Sequence, residues 1–290
     1  IRAARPARLY VAADGPRADR AGEAERCAEV RRIATAVDWP CEIKTLFRDR
    51  NLGCRRAVSG GITWFFEHEE EGIILEDDCL PDPSFFTFCA ALLDRYRDNP
   101  GIMCITGNNF QSNMNGWPYS YYYSIFNHCW GWASWRRAWA LYDAELEHFD
   151  PASAPRKLNR LCRLRGFGRY WANIFEQVKN GKIDSWGYIW TWSCFWRGGL
   201  TCTPNKNLVS NIGFGETATH TLNRISPFAN MKTFNLDLPL SAPPRKQAEK
   251  KFDRYVAWHH FGIRTLSLYE RATKKVLRII RSLQQKGTST

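Results

Sequence analysis

The run Gly72-Ile73-Ile74-Leu75-Glu76-Asp77-Asp78 sets an apolar stretch directly against three carboxylates. The apolar residues predict a strand buried on both faces, as in a parallel sheet covered by helices. Adjacent carboxylates at the end of such a strand are costly unless a cation compensates them. In an open α/β sheet, ligands bind at the carboxyl ends of the strands, where this triplet falls. The pattern predicts a site for a hard divalent cation, Mn²⁺ or Mg²⁺, shared between one or two carboxylates and the phosphate oxygens of a substrate. The other reading is a solvated turn leading to a helix at Pro83, for which Asp82 supplies the N-cap.

Outward from this run, strand-like and helical patterns alternate. Arg8–Ala13 is predicted as a strand ending in the turn Asp14-Gly15-Pro16, residues 23–37 as a helix and Glu42–Phe47 as a second strand. Helical spacing continues over 54–69 and 83–97, and residues 102–105 form the next strand. This order predicts an α/β fold with a mostly parallel sheet and helices on both faces. The interior-strand character of Arg8–Ala13 leads to the expectation that a preceding strand–helix unit is missing from the chain. After Gly107 the pattern changes to loops and aromatics, with Tyr121-Tyr122-Tyr123 and Trp130-Gly131-Trp132, followed by a basic helical stretch over 156–180. Residues 239–244 are linker-like. The reading divides the chain into a domain at 1–240 and a basic helical extension at 241–290, in which Leu266, Tyr269, Thr273, Val276, Ile280 and Leu283 form an apolar stripe.

Composition narrows the function classes. Hydrophobic residues make up 44% and charged residues 24% of 290, as in an ordinary globular protein. No apolar stretch reaches the roughly 18–20 residues of a membrane-spanning helix. The ten cysteines form no C-x-x-C pair, which suits buried thiols in a cytoplasmic protein and neither a disulfide framework nor a zinc site. Thirteen tryptophans lead to the expectation that several line a surface groove. From Arg245 onward, twelve Lys/Arg stand against three Asp/Glu, which accounts for most of the net charge of +12. Such a tail predicts peripheral contact with the inner membrane face through the C-terminal helices, or alternatively a packed bundle with a solvated basic face. Nucleic acid is not an expected partner, since the basic region carries no interleaved aromatics or recognition motif.

Several ordered segments carry a resemblance: Ile74-Leu75-Glu76-Asp77-Asp78, Pro83-Ser84-Phe85-Phe86, Cys104-Ile105-Thr106-Gly107-Asn108, Trp130-Gly131-Trp132-Ala133-Ser134-Trp135, Asp184-Ser185-Trp186, and Asn211-Ile212-Gly213-Phe214 before Thr219-His220. On these the sequence resembles the GT-A glycosyltransferases, in particular N-acetylglucosaminyltransferase I and bacterial haemolytic-protein-like nucleotide-diphospho-sugar transferases. The resemblance implies inverting transfer of a monosaccharide from a UDP- or GDP-linked donor to a glycan or lipid-linked acceptor in cell-surface polysaccharide synthesis. It implies that Asp78 ligates the metal, that Glu76 and Asp77 lie on the nucleotide-sugar side, and that His220 completes the metal shell. Asp14 would bind the base, or is a plain turn residue. Arg50 and Gly53 belong to a nucleotide-side loop opening a helix, and Arg56 either reaches the diphosphate or is solvated. Trp130, Gly131, Trp132 and Trp186 would wall the sugar and acceptor groove, or pack in the core. The family's general base follows a tryptophan resembling Trp186, where this chain has Gly187. Asp184 is then the first candidate base, its other reading being an N-cap, and Glu216 the second. A nucleotidyltransferase making sugar nucleotides and a catalytically inactive nucleotide-sugar-binding protein are the competing readings.

Overall fold

The computed structural model describes residues 1–214 and 226–263. In chain order the elements are β1 (Arg8–Ala13), α1 (Glu23–Thr35), β2 (Glu42–Phe47), α2 (Cys54–His68), β3 (Glu71–Ile74), β4 (Cys79–Pro81), α3 (Pro83–Tyr96), β5 (Ile102–Thr106), β6 (Tyr121–Ser124) and β7 (Trp132–Trp135). They continue with α4 (Arg136–Trp139), α5 (Ala154–Cys162), α6 (Phe167–Lys179), α7 (Trp186–Arg197), β8 (Leu200–Pro204), β9 (Val209–Asn211) and α8 (Lys250–His259). The fold is mixed α/β, as the alternating pattern predicts.

The sheet is mixed, however, and not mostly parallel. Strands β1 and β2 pair in parallel, and the main sheet has the order β3-β7-β5-β8-β6. Only β5 and β8 are parallel there; β7 runs antiparallel between β3 and β5, and β6 runs antiparallel to β8. The sequence Trp132-Ala133-Ser134-Trp135 has the strand period of two, but its polar residue faces inward, which hides the pattern. Ser134 Oγ donates to the Met103 carbonyl at 2.8 Å and so satisfies itself inside the sheet.

Helices cover both faces. On one, α3 packs Phe85, Phe88 and Leu92 against Ile102, Ile105, Ala133 and Trp135. On the other, Ile62 and Phe66 of α2 and Trp186 and Trp190 of α7 enclose Met103, Cys104 and Trp132. Met103 and Cys104 share that face because the β5–β8 register shifts between Ile102 and Cys104. Tyr121 and Tyr123, expected in a loop, lie on β6 with their hydroxyls 2.5 and 2.6 Å from that of Tyr96.

The basic stretch at 156–180 is two helices. Arg163 at φ 44° ends α5 and Gly166 at φ 90° starts α6. The linker-like segment lies along β6, where Ser120 N–H donates to the Ser241 carbonyl at 2.9 Å and Glu249 N–H to that of Tyr123 at 2.8 Å. Beyond it, Val256, Ala257 and Ile263 enter the same core as α6 and α7. The described part of the extension is thus built into the fold. The apolar stripe from Leu266 to Leu283 lies outside the described residues. No helix among the described residues is long and apolar enough to cross a membrane.

Candidate functional site

The acidic triplet sits where the chain leaves β3 and turns into β4. Glu76 is part-buried, Asp77 is exposed and Asp78 is part-buried. The β4–β9 pair pins the turn: Ile212 N–H donates to the Asp78 carbonyl at 2.9 Å, and Gly213 N–H to Asn211 Oδ1 at 2.9 Å. A Cβ at Gly213 would overlap Asp78 Oδ2, so only glycine lets this backbone pass so close to the carboxylate. Burial above all, then the charges of Asp78 and Asp77, push the Glu76 carboxyl up to about 7. No ion pair to any of the three forms among the described residues. This donor set fits the shared mode of Mg²⁺ or Mn²⁺ binding, in which the protein supplies one or two carboxylates. Among the described residues no group of three or more His, Cys, Asp or Glu forms a cage of its own.

Two further segments bring carboxylates to the N-terminus of α2. Asp14 follows β1, and its Oδ1 accepts from Gly15 N–H and Leu52 N–H at 2.9 Å each. Its Oδ2 accepts from Leu52 N–H at 3.0 Å and Gly53 N–H at 3.2 Å. Asp14 therefore clamps the loop Asn51-Leu52-Gly53, a task neither the turn reading nor the base-binding reading includes. Asp184 approaches from the segment before α7, with its Oδ2 3.1 Å from where a Cβ of Gly53 would stand. The N-cap of α7 is Ser185, whose Oγ accepts from Tyr188 N–H at 3.4 Å. That leaves the exposed Asp184 carboxylate free of the capping role. Cys54, the first residue of α2, reports the convergence. Burial first, then the charges of Glu76, Asp184 and Asp14, push its thiol up to about 11.

Helix α2 starts at Gly53 (φ 80°) with no side-chain cap, so the partial positive charge of its first turn faces these carboxylates. Arg50 is exposed beside this loop. Arg56 is exposed too and opens onto a groove of about 470 Å³ along α2, shared with Arg48, Ser59, Trp64 and Tyr142.

The tryptophans divide. Trp132 and Trp186 stack at 5.7 Å between ring centroids and are 0% and 3% exposed, which makes them core beneath the site and not its wall. Trp135, Trp171, Trp190 and Trp192 are also buried, so most of the aromatic excess builds the interior. Gly131, at φ 71°, makes its close approach to Val209 of β9, where a Cβ would lie 2.8 Å from Cγ2. Trp130 remains part-buried, edge-on to Phe110 and Phe214. With Phe110, Asn127, His128 and Gly187 it lines a pocket of about 160 Å³. Asn127 and His128 carried no motif in the sequence, and nothing there connects them with His260 across the pocket. Glu216 and His220 lie outside the described residues. No family model matches the chain, and no curated protein matches it.

Proposed function

We propose that the chain is a metal-dependent, inverting GT-A glycosyltransferase that moves a monosaccharide from a UDP- or GDP-linked donor to a glycan or lipid-linked acceptor. The single observation that carries this reading is the convergence of Glu76, Asp14 and Asp184 on the N-terminus of α2, with Asp77 and Asp78 directly beside Glu76. Separate segments bring acidic groups to one helix end, beside a pocket that needs no charge.

In this reading Asp78 is the protein's metal ligand, joined by His220, and the metal when bound supplies charge neutralisation at the departing nucleoside diphosphate. Asp77 faces the nucleotide sugar. Glu76, half-desolvated behind them, adds negative charge that favours the cation. Asp14 holds the loop at Asn51-Leu52-Gly53, and Arg50 stands where it meets the nucleotide. Asp184 accepts the proton of the acceptor hydroxyl as that oxygen attacks the anomeric carbon. It replaces the carboxylate that the resemblance expects at Gly187. The basic residues from Arg245 onward hold the enzyme at the cytoplasmic membrane face, near a lipid-linked acceptor.

The test is release of nucleoside diphosphate from a panel of UDP- and GDP-sugars with Mn²⁺, with and without chelator. Metal-dependent release with at least one donor is the expected result. Tight donor binding without release from any donor or acceptor mixture supports the second reading, a binding protein, which Gly187 favours. Pyrophosphate-dependent formation of nucleoside triphosphate supports a nucleotidyltransferase.

A further inference from the structure

The 160 Å³ pocket beside Gly187 has an unusual lining. Asn127 is 5% exposed, yet neither its Nδ2 nor its Oδ1 has a hydrogen-bond partner. Across the pocket, His260 Nδ1 and Trp171 Nε1 are likewise buried and unpartnered. Four of the ten orphaned side-chain atoms in the described structure thus belong to three residues around one cavity. Each such group costs about 1–3 kcal/mol when left unsatisfied, so their clustering points to a partner that the described residues do not provide.

The chemistry of the lining narrows that partner. No Asp, Glu, Lys or Arg lines the pocket. Burial holds His260 down to about 4 and His128 well below the usual histidine range, so both rings are neutral. An uncharged ligand is required, because an ion there would be desolvated without compensation. It must both donate and accept, to meet an amide, an indole N–H and an imidazole nitrogen. The lining rings are packed both ways: Phe110 stands at 83° to Trp130 and 88° to His128, and stacks on His260 at 17°. Aromatic faces beside these polar atoms suit a small ring with apolar C–H patches and hydroxyls around its rim. The volume equals that of about five liquid waters, enough for one small ring and too little for a nucleotide.

We propose that this pocket is a carbohydrate subsite that takes one uncharged pyranose unit, held by the Asn127 amide, Trp171 Nε1 and His260 Nδ1. Its role as the acceptor subsite rests on the transferase reading above; its binding of a sugar does not. Ser185 and Gly187 line the pocket, and Asp184 immediately precedes them in the chain. Gly187 keeps the space open: a Cβ there meets nothing nearer than Ser185 Oγ at 3.8 Å and Cys129 Sγ at 3.9 Å.

The probes are the methyl glycosides of glucose, galactose and mannose, with uridine as the flat-base control, observed by saturation-transfer NMR on the full chain. At least one glycoside is expected to show transfer. Gly187→Leu, which fills the cavity, and Asn127→Asp, which charges it at constant shape, should each weaken that binding roughly tenfold or more. Near-UV circular dichroism checks that each variant is folded, and either folded variant alone suffices. The proposal is overturned if no glycoside shows transfer, if transfer persists unchanged in a folded pocket variant, or if uridine is the probe that Gly187→Leu displaces. Glycoside binding without any nucleotide-sugar turnover would sink the transferase reading and leave the subsite standing. Turnover without glycoside binding would do the reverse.

Discussion

Two regions meet near residues 184–187 and are opposites in chemistry. At the N-terminus of α2, carboxylates from three segments gather without an ion pair among the described residues, and burial and neighbouring negative charges lift Glu76 and Cys54. A few residues away, a pocket of aromatic rings, an amide and neutral imidazoles carries no charge at all. Each region is unsatisfied in a different way: the first has carboxylates without an ion-pair partner, the second buried polar atoms without hydrogen-bond partners. The contrast teaches how two parts of one substrate pair would be kept apart, since a phosphate–metal unit is at home only in the first and an uncharged ring only in the second.

The largest expected effect breaks the contrast at its border. Asp184→Asn keeps the shape beside Gly53 and removes the proposed proton acceptor, so kcat should fall by about 10²–10⁴ with little change in donor KM. A loss confined to KM, or none, would return Asp184 to a positioning part. Next comes the floor the two regions share. Trp132→Ala empties a fully buried site stacked on Trp186 and should lower unfolding free energy by about 3–5 kcal/mol, read from urea midpoints.

How much of this was legible follows the same divide. The triplet and its strand stood out because an apolar run ending in carboxylates is rare and costly. Asp14 and Asp184 were visible as candidates, but their meeting with Gly53 depends on long-range packing that no local pattern encodes. The antiparallel β7 was hidden, since Ser134 satisfies itself inside the sheet and breaks the apolar alternation. The neutral pocket was illegible: Asn127 and His260 are more than a hundred residues apart, and neither belongs to a recognisable spacing. Which tryptophans are core and which line a cavity was not legible, because composition counts rings without saying which faces are covered.

A smaller change sharpens the acidic side. Gly213→Ala pushes a methyl group against Asp78 and should cost about 1–3 kcal/mol while weakening any metal-dependent response. Loss of stability with an unaltered metal response would separate Asp78 from the metal.

The smallest effect concerns α8, which carries Asp253 and is followed directly by His260 of the neutral pocket. Burial raises the Asp253 carboxyl to about 7, from 3.8 in the unfolded chain, against the opposing hydrogen bonds from Ser124 Oγ and Ile125 N–H. The folded state therefore holds its proton longer than the unfolded one. Stability should fall as pH rises from about 4 to 7 and level off above it, by a few kcal/mol at most. Asp253→Asn should flatten that slope in chemical denaturation across pH, and an unchanged slope would assign it to other groups.

The most direct test of the central claim is a thermal-shift titration of wild type and Asp78→Ala with a panel of UDP- and GDP-sugars, with and without Mn²⁺. The account predicts a stabilisation of wild type that needs both donor and metal and vanishes in Asp78→Ala. A full metal-dependent shift in the variant would contradict it.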